Sequence, residues 1–454
     1  MNAVVGIDIG SSAIKAMLLG VEERNTLAIE SQPLRSRIEG TPPGHFEENP
    51  RILREQFFEI VRLLSAASKK RNVCIEGIGF TGQMHGGLLV DSALEPVTHC
   101  ITWQDKRGDE ISESGKSYVE ELEAFAAFDA TGVGIKTGFL VTSLSWLNRK
   151  NAIARKAVHL LGMYDWLMSV CLGRAMTDLS SAAAWGIFDP SLRSWKWELL
   201  RAAGISESFL PEVAEPGAFL GTIDPAVAQQ CDLDTNVRIH ASIGDTQAAY
   251  LGSECASDEV LVNFGTGSQS LWETARHTAT QGTDIRYLRE RRFLACAPTL
   301  AGGEAYLLTA KFFQEIVREC SGVELSRGET LRMMDRLAEK GEAQGLRIDP
   351  IFQGSKFRDV ADRASISGIG ASNFHPSNVV CALIEGMAEE IAWPFFARQE
   401  ARAFHGLRGG GSALRKNRAL QDAVERRFGL PLHMGRFDEE AAAGAAMLAL
   451  TPSV

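Results

Sequence analysis

The 454-residue chain lacks the signals of several large protein classes. None of its eight cysteines, at positions 74, 100, 171, 231, 255, 296, 320 and 381, stands in a CxxC pair. That spacing argues against a zinc site or a disulfide framework and for reduced thiols. Basic charge is in deficit: 47 Lys and Arg face 57 Asp and Glu, a formal net charge of −10. With no basic surplus to neutralise a phosphate backbone, nucleic acid is not expected as a partner. No apolar run reaches the roughly 18 residues of a membrane span. No basic segment followed by an apolar signal core precedes the first strand. The expected location is therefore the cytoplasm, with no membrane partner. There is no solenoid period and no low-complexity stretch. The Walker pattern GxxxxGK[ST] is missing too, and Gly115-Lys116-Ser117 matches only its end.

What is present is the composition of an ordinary globular protein, 45% hydrophobic and 23% charged. At this length two domains are the default. Two short turns rich in glycine, serine and threonine, far apart in the chain, each follow an apolar run that reads as a strand. The first is Val4-Val5-Gly6-Ile7-Asp8-Ile9-Gly10-Ser11-Ser12, continuing to Lys15, and the second is Val260-Leu261-Val262-Asn263-Phe264-Gly265-Thr266-Gly267-Ser268. Small residues in a tight turn let backbone N–H groups and hydroxyls reach an anion. Two such turns could grip a polyphosphate from both sides, although each alone also reads as a hairpin. Asp8 would repel bare phosphate, so its natural role is to hold a hydrated Mg²⁺ that bridges phosphates.

Strand and helix patterns alternate. Strands are expected at 4–9, 14–19, 26–31, 73–79, 238–243 and 260–264. Helices are expected at 50–69, 115–127, 141–173, 304–320, 327–340, 376–402, 412–428 and 438–449. This alternation implies α/β domains. Each half opens with a strand, a small-residue turn and a second strand, which suggests a duplicated fold. The segment 211–237 is a candidate connection near the boundary, giving domains 1–240 and 241–454.

Three further elements carry chemistry. Gly77-Ile78-Gly79-Phe80-Thr81-Gly82 has the letters GxGxxG, but a turn and a strand, not a helix, are expected to follow, which removes the dinucleotide reading. Leu407-Arg408-Gly409-Gly410-Gly411-Ser412 runs toward Asn417 and lets a flat ligand lie against the backbone; a flexible loop is the plainer reading. Ile243-Gly244-Asp245-Thr246 puts an acid at a strand end, either as an N-cap or as a general base for a substrate hydroxyl.

In order and spacing these elements resemble the FGGY family of carbohydrate kinases over essentially the whole chain. The resemblance implies two actin-like, ribonuclease H-type ATPase domains flanking a nucleotide and sugar cleft, with ATP and Mg²⁺ as cofactors and a small ketose as substrate. It would make Asp8 and Asp245 metal-holding residues and Asp245 also the catalytic base. Ser11, Ser12 and Lys15 would belong to the first phosphate loop and Gly265, Thr266 and Gly267 to the second. Gly410, Gly411, Ser412 and Asn417 would line the adenosine pocket. For the sugar, Thr81-Gly82-Gln83-Met84-His85-Gly86 is similar to a segment that contacts the carbonyl end of ketoses. Trp103 could stack on the sugar and Asp105 accept its hydroxyl protons. His85 could equally be structural. Asp178-Leu179-Ser180-Ser181 and the glycine run are most similar to the sedoheptulokinase branch, and the Gln83-Met84-His85 segment fits the xylulokinase branch as well. One departure stands out: the usual Lys-Leu-x-Trp-Leu element appears as Ser143-Leu144-Ser145-Trp146-Leu147, without its lysine. Other readings are a non-catalytic sugar sensor and a phosphate-loop ATPase acting on proteins. Oligomeric state is left open, a homodimer included.

Overall fold

The computed structural model describes residues 1–126, 134–265, 268–275, 279–358, 363–398, 400 and 403–450. The chain forms two compact units. The first gathers Met1–Gly252, residues 286–293 and the segment from Glu439 onward; the second holds residues 253–285 and 294–438. This differs from the expected division at 240/241. The helix Asp245–Gly252 and the C-terminal helix Glu440–Ala449 pack on each other and join the first unit together.

The first unit is built on a seven-stranded sheet in the order Phe219–Thr222, Arg238–His240, Cys74–Gly82, Asn2–Ile9, Ala13–Gly20, Thr26–Pro33, with Ile243–Gly244 also alongside Cys74–Gly82. Asn2–Ile9 runs antiparallel to Ala13–Gly20 and parallel to Cys74–Gly82. Ala3–Ile7 of this strand is buried throughout, so that stretch reads as a continuous run of small and apolar residues. Helix Pro50–Lys70 starts where the Asn49 side chain accepts hydrogen bonds from the amides of Arg51 and Ile52, with proline at the first helical position. Leu53, Phe57, Ile60, Val61 and Leu64 recur at helical spacing and join the core formed with Val5, Ile7, Ile14 and Leu18.

In the second unit Glu259–Phe264 pairs antiparallel with Ser268–Thr274 and parallel with Gly406–Gly410, which runs parallel to Leu432–Met434. Each unit thus repeats the same local plan: a strand, an antiparallel second strand that follows it closely in sequence, and a parallel third strand on the other side. No helix among the described residues is long and apolar enough to cross a membrane.

Some expected helices are shorter. The helix expected over 141–173 divides into Leu140–Arg149 and Met163–Leu172, with strand His159–Leu161 between them. Asn151, at φ 53°, leaves the right-handed region and ends the first piece. The helix expected over 412–428 breaks at Asn417, which leaves helical geometry and caps the next helix by accepting from Leu420 N. The GxGxxG glycines lie inside strand Cys74–Gly82, and strand Leu88–Val90 follows, as expected.

Packing accounts for one of these glycines and for three others. A Cβ on Gly79 would stand 1.9 Å from Ala445 O, and one on Gly6 1.9 Å from Ala442 O. On Gly252 it would meet Glu440 O at 1.8 Å, and on Gly444 it would meet Ala248 O at 1.9 Å. The C-terminal helix, nearly all alanine and glycine on its buried face, therefore lies backbone to backbone on the sheet and on helix Asp245–Gly252. Carbonyls in regular structure cannot move aside. Gly79→Val is expected to cost at least the ~1–3 kcal/mol of an overpacked core. That corresponds to a Tm lowered by at least ~2–4 °C per kcal/mol, read by thermal unfolding, while a valine at exposed Gly134, where a Cβ meets nothing within 4 Å, lacks this clash.

Candidate active site

Two acids flank one strand of the first unit. Asp8 pairs in register with Thr81 of Cys74–Gly82, and on the other side of that strand Gly244 pairs with Gly82. Asp245 is the next residue, so both carboxylates sit at the C-terminal end of parallel strands, where α/β folds place ligands. The turn after Asp8 is closed by Gly10 N donating to Ala13 O at 3.1 Å, and Ser11 and Ser12 are exposed beyond it.

The electrostatics of the pair are unfavourable without a cation. Asp8 Oδ1 is buried and has no hydrogen-bond partner. Desolvation first, then the charges of Asp245 and Glu439, push the Asp8 carboxyl up to about 7 against the opposing pull of Lys15. Lys15, opposite Asp8 in the hairpin register, pairs with Glu439 at 2.6 Å. Asp245 opens its helix with Oδ1 accepting from Thr246 N at 2.6 Å and from Thr246 Oγ1 at 3.2 Å. Desolvation raises its pKa, and the Arg286 guanidinium acts in the opposite direction. Arg286 itself donates to Thr246 Oγ1 at 3.2 Å and approaches Met84 Sδ at 3.3 Å.

A buried, unpartnered carboxylate oxygen beside a second acid suits a hard divalent cation. No group of three or more His, Cys, Asp or Glu that could hold a metal occurs among the described residues. Mg²⁺ keeps waters and takes few carboxylates together with substrate phosphates, so the chemistry of Asp8 and Asp245 suits it.

The expected sugar segment lies beside these acids. Gln83 is buried, and its Oε1 has no partner. Met84 packs against Gly244, where a Cβ would stand 2.5 Å from Met84 Sδ. His85 has φ 74°, stacks on Phe139 with ring centroids 4.4 Å apart, and places Nδ1 2.7 Å from Ala184 O. A carbonyl partner puts the neutral ring's proton on Nδ1. Trp103, 46% exposed, donates from Nε1 to Ser11 Oγ at 3.1 Å and so reaches the turn expected to hold phosphate.

Asp105 requires a correction. It is fully buried; Oδ1 accepts from Arg107 N and Nε, and Oδ2 from Phe46 N and Arg107 Nη2. Its acceptor positions are filled from within the chain, so it holds Arg107 rather than a sugar hydroxyl. Arg107 in turn reaches Glu47 at 2.6 Å and lies 4.9 Å from the Trp146 ring centroid. Where the family's lysine is missing, Ser143 is buried and its Oγ has no partner.

In the second unit Thr266 and Gly267 fall outside the described residues, and Gly265 precedes them at the end of Glu259–Phe264. Gly410 pairs with Asn263. Gly411, at φ 83°, brings its Cα against the chain so closely that a Cβ would stand 2.3 Å from Phe264 O. Ser412 is exposed and begins the helix Ser412–Lys416. Asn417 is mostly committed to structure: Oδ1 caps at Leu420 N, and Nδ2 donates to Asp335 Oδ1 at 2.9 Å.

Sequence reasoning missed Glu439 and Arg286 beside the acids, and also Gly302 and Gly303 beside the second loop. A Cβ on Gly303 would stand 2.5 Å from Gly265 O. The Gly-Gly pair opening helix Gly303–Ser321 was a readable signal of close approach; Arg286, alone in a strand, carried none.

Residues 3–252, which include both acids, match the family model for the N-terminal domain of the FGGY carbohydrate kinases. The chain belongs to the FGGY family of carbohydrate kinases, enzymes with the two-domain actin-like ATPase fold. Among relatives, it is 26% identical to a sedoheptulokinase from Homo sapiens, over 98% of this chain and 97% of that one. It is 24% identical to a xylulose kinase from Staphylococcus xylosus, over 86% and 78% respectively. Among solved structures, a xyloylose kinase from Brucella ovis superposes with a TM-score of 0.85 at 25% identity, over 99% of this chain and 90% of that one.

Proposed function

We propose that the protein is an ATP-dependent ketose kinase that phosphorylates a terminal hydroxyl, with sedoheptulose as the preferred acceptor. The observation that carries the reading is the pair Asp8 and Asp245 flanking one strand, with Asp8 Oδ1 unpartnered. Asp245 accepts the proton of the acceptor hydroxyl, that oxygen attacks the γ-phosphorus in line, and ADP leaves. Asp8, with Asp245 beside it, holds Mg²⁺, which when bound offsets the charge on the phosphates. In this reading Ser11, Ser12 and Lys15 are the phosphate-loop residues of the first unit. In the second, Gly265, Thr266 and Gly267 have the phosphate-loop role and Gly410, Gly411, Ser412 and Asn417 the adenosine-lining role. Gln83, Met84 and His85 orient the sugar and Trp103 covers it. Such a polyol needs a line of polar partners, because each buried hydroxyl left unsatisfied costs affinity.

The similarity to a sedoheptulokinase across nearly the full length of both chains supports the seven-carbon acceptor. A second reading, a pentulose kinase, is favoured by the xylulose kinase relative and by the Gln83-Met84-His85 segment. Coupled ADP release with Mg-ATP across sedoheptulose, D-xylulose, D-ribulose, L-fuculose and glycerol separates the two. The highest kcat/KM is expected with sedoheptulose. A pentulose at the top moves the enzyme to the second reading, and no release with any sugar removes the ketose assignment.

A further inference from the structure

Behind the base lies a buried polar network that the proposed reaction does not use. Asp165 and Asp178 are both fully buried, and Ser242 Oγ lies 2.5 Å from Asp165 Oδ1 and 3.2 Å from Asp178 Oδ2. Asp178 caps the six-residue helix Leu179–Ala184: its Oδ1 accepts from Ser180 N at 2.7 Å and from Ser180 Oγ at 2.5 Å, and its Oδ2 accepts from Ser181 Oγ. The Ser242 hydroxyl bridges the two buried carboxyl groups; burial and the charge of Asp178 raise Asp165 well above the carboxylate range.

This small helix is tied at one end to the base and at the other to the sugar segment. Ser180 Oγ, having given its hydrogen to Asp178, accepts from Gly244 N at 3.0 Å, the amide directly before Asp245. At the far end, Ala184 O faces His85 Nδ1 at 2.7 Å. On its other side Gly244 is held by pairing with Gly82, two residues from Met84. The backbone that presents the base and the backbone that presents His85 are therefore referenced to one rigid element.

We propose that helix Leu179–Ala184 is a positioning element that sets Asp245 against the sugar held at His85, with Asp178 as its anchor and Ser180 acting on the base. The proposal rests on the reading of Asp245 as base. Loss of the Ser180 hydroxyl leaves Gly244 N without its acceptor and frees the segment that aims Asp245. A misplacement on the order of 1 Å is enough to cost about 100-fold in turnover.

The test measures Ser180→Ala, Asp245→Asn and the double variant by coupled ADP release with sedoheptulose and D-xylulose, alongside thermal unfolding. Ser180→Ala is expected to lower kcat about 10- to 100-fold with KM for the sugar little changed. In the Asp245→Asn background the same change should have no further effect, because Ser180 acts only through that carboxylate. Ser181→Ala serves as comparator, since it touches Asp178 but not Gly244; it should lower Tm and leave kcat in place. Equal losses from Ser180→Ala with and without Asp245, or a kcat loss shared by Ser181→Ala, would make the helix merely structural and overturn the proposal. Near-wild-type turnover of Asp245→Asn alone would instead remove the base reading. If Ser180→Ala does not fold, Ser180→Cys, similar in size but a weak acceptor, is measured for the same kcat loss and the same non-additivity.

Discussion

Asp245→Asn is expected to lower turnover by roughly 10²–10⁴-fold, the contribution of a positioned general base. Folding should survive, because an asparagine Oδ1 can still accept from Thr246 N and Thr246 Oγ1, the two bonds that orient the native side chain. Removing a like charge also relieves Asp8, whose carboxyl is raised in part by Asp245. The variant should therefore melt no lower than the native enzyme and still bind ATP, while coupled ADP release collapses for every sugar. The comparison is made at saturating sugar, so that a change in KM cannot pass for a change in chemistry. Turnover close to native would take the base role from Asp245.

Asp8→Asn should uncouple stability from pH as well as impair the reaction. The folded-state pKa of Asp8 is raised from 3.8 to about 7, so the folded protein holds a proton that the unfolded chain has released. Between these two values the folded form binds more protons, and metal-free stability must fall as pH rises through the window. Below about pH 4, where both states are protonated, this penalty is absent. Asparagine carries no charge at any pH, so the Tm of Asp8→Asn minus that of the native protein, measured in EDTA, should grow from pH 5 to pH 8. Buried acids outside this charge cluster, Asp178 with its raised carboxyl among them, titrate in both proteins and cancel in the difference. Outer-shell changes at metal sites cost 10–100-fold in affinity, and a direct ligand should cost no less, so the Mg²⁺ concentration for half-maximal rate should rise at least about 10-fold. A pH-independent Tm difference, or an unchanged Mg²⁺ requirement, would remove Asp8 from the metal role.

Much of this architecture was readable because its signals are local. The hairpin around Gly10 and its counterpart after Phe264 follow from apolar runs broken by small residues, and Asn49-Pro50 marks a helix start that needs no tertiary information. Asp8 and Asp245 could be nominated one at a time from strand ends. Their placement on either side of Cys74–Gly82 could not, because strand order is set by pairing between distant segments. Asp105 shows the opposite failure. An acid beside an exposed tryptophan looked available for a substrate, yet an arginine two residues later takes up its carboxylate, a commitment visible only in three dimensions. Glu439 and Arg286 reach the acids from segments remote in sequence, and nothing in their own neighbourhoods announced it.

The closing of the first unit by Glu440–Ala449 bears on how the protein is made. Gly6, Gly79 and Gly252 form a bare backbone seat for this helix, which is synthesised well after the strands and helix it covers. At ordinary elongation rates of ~5–20 residues/s, the roughly 190 residues after Gly252 take about 10–40 s to appear. For that interval the nascent first unit carries an open, apolar groove beside its acids, and the second unit can complete its own sheet first. The unit that holds the proposed base is thus completed by a segment made well after the base itself, and the proposed chemistry waits until that segment has docked.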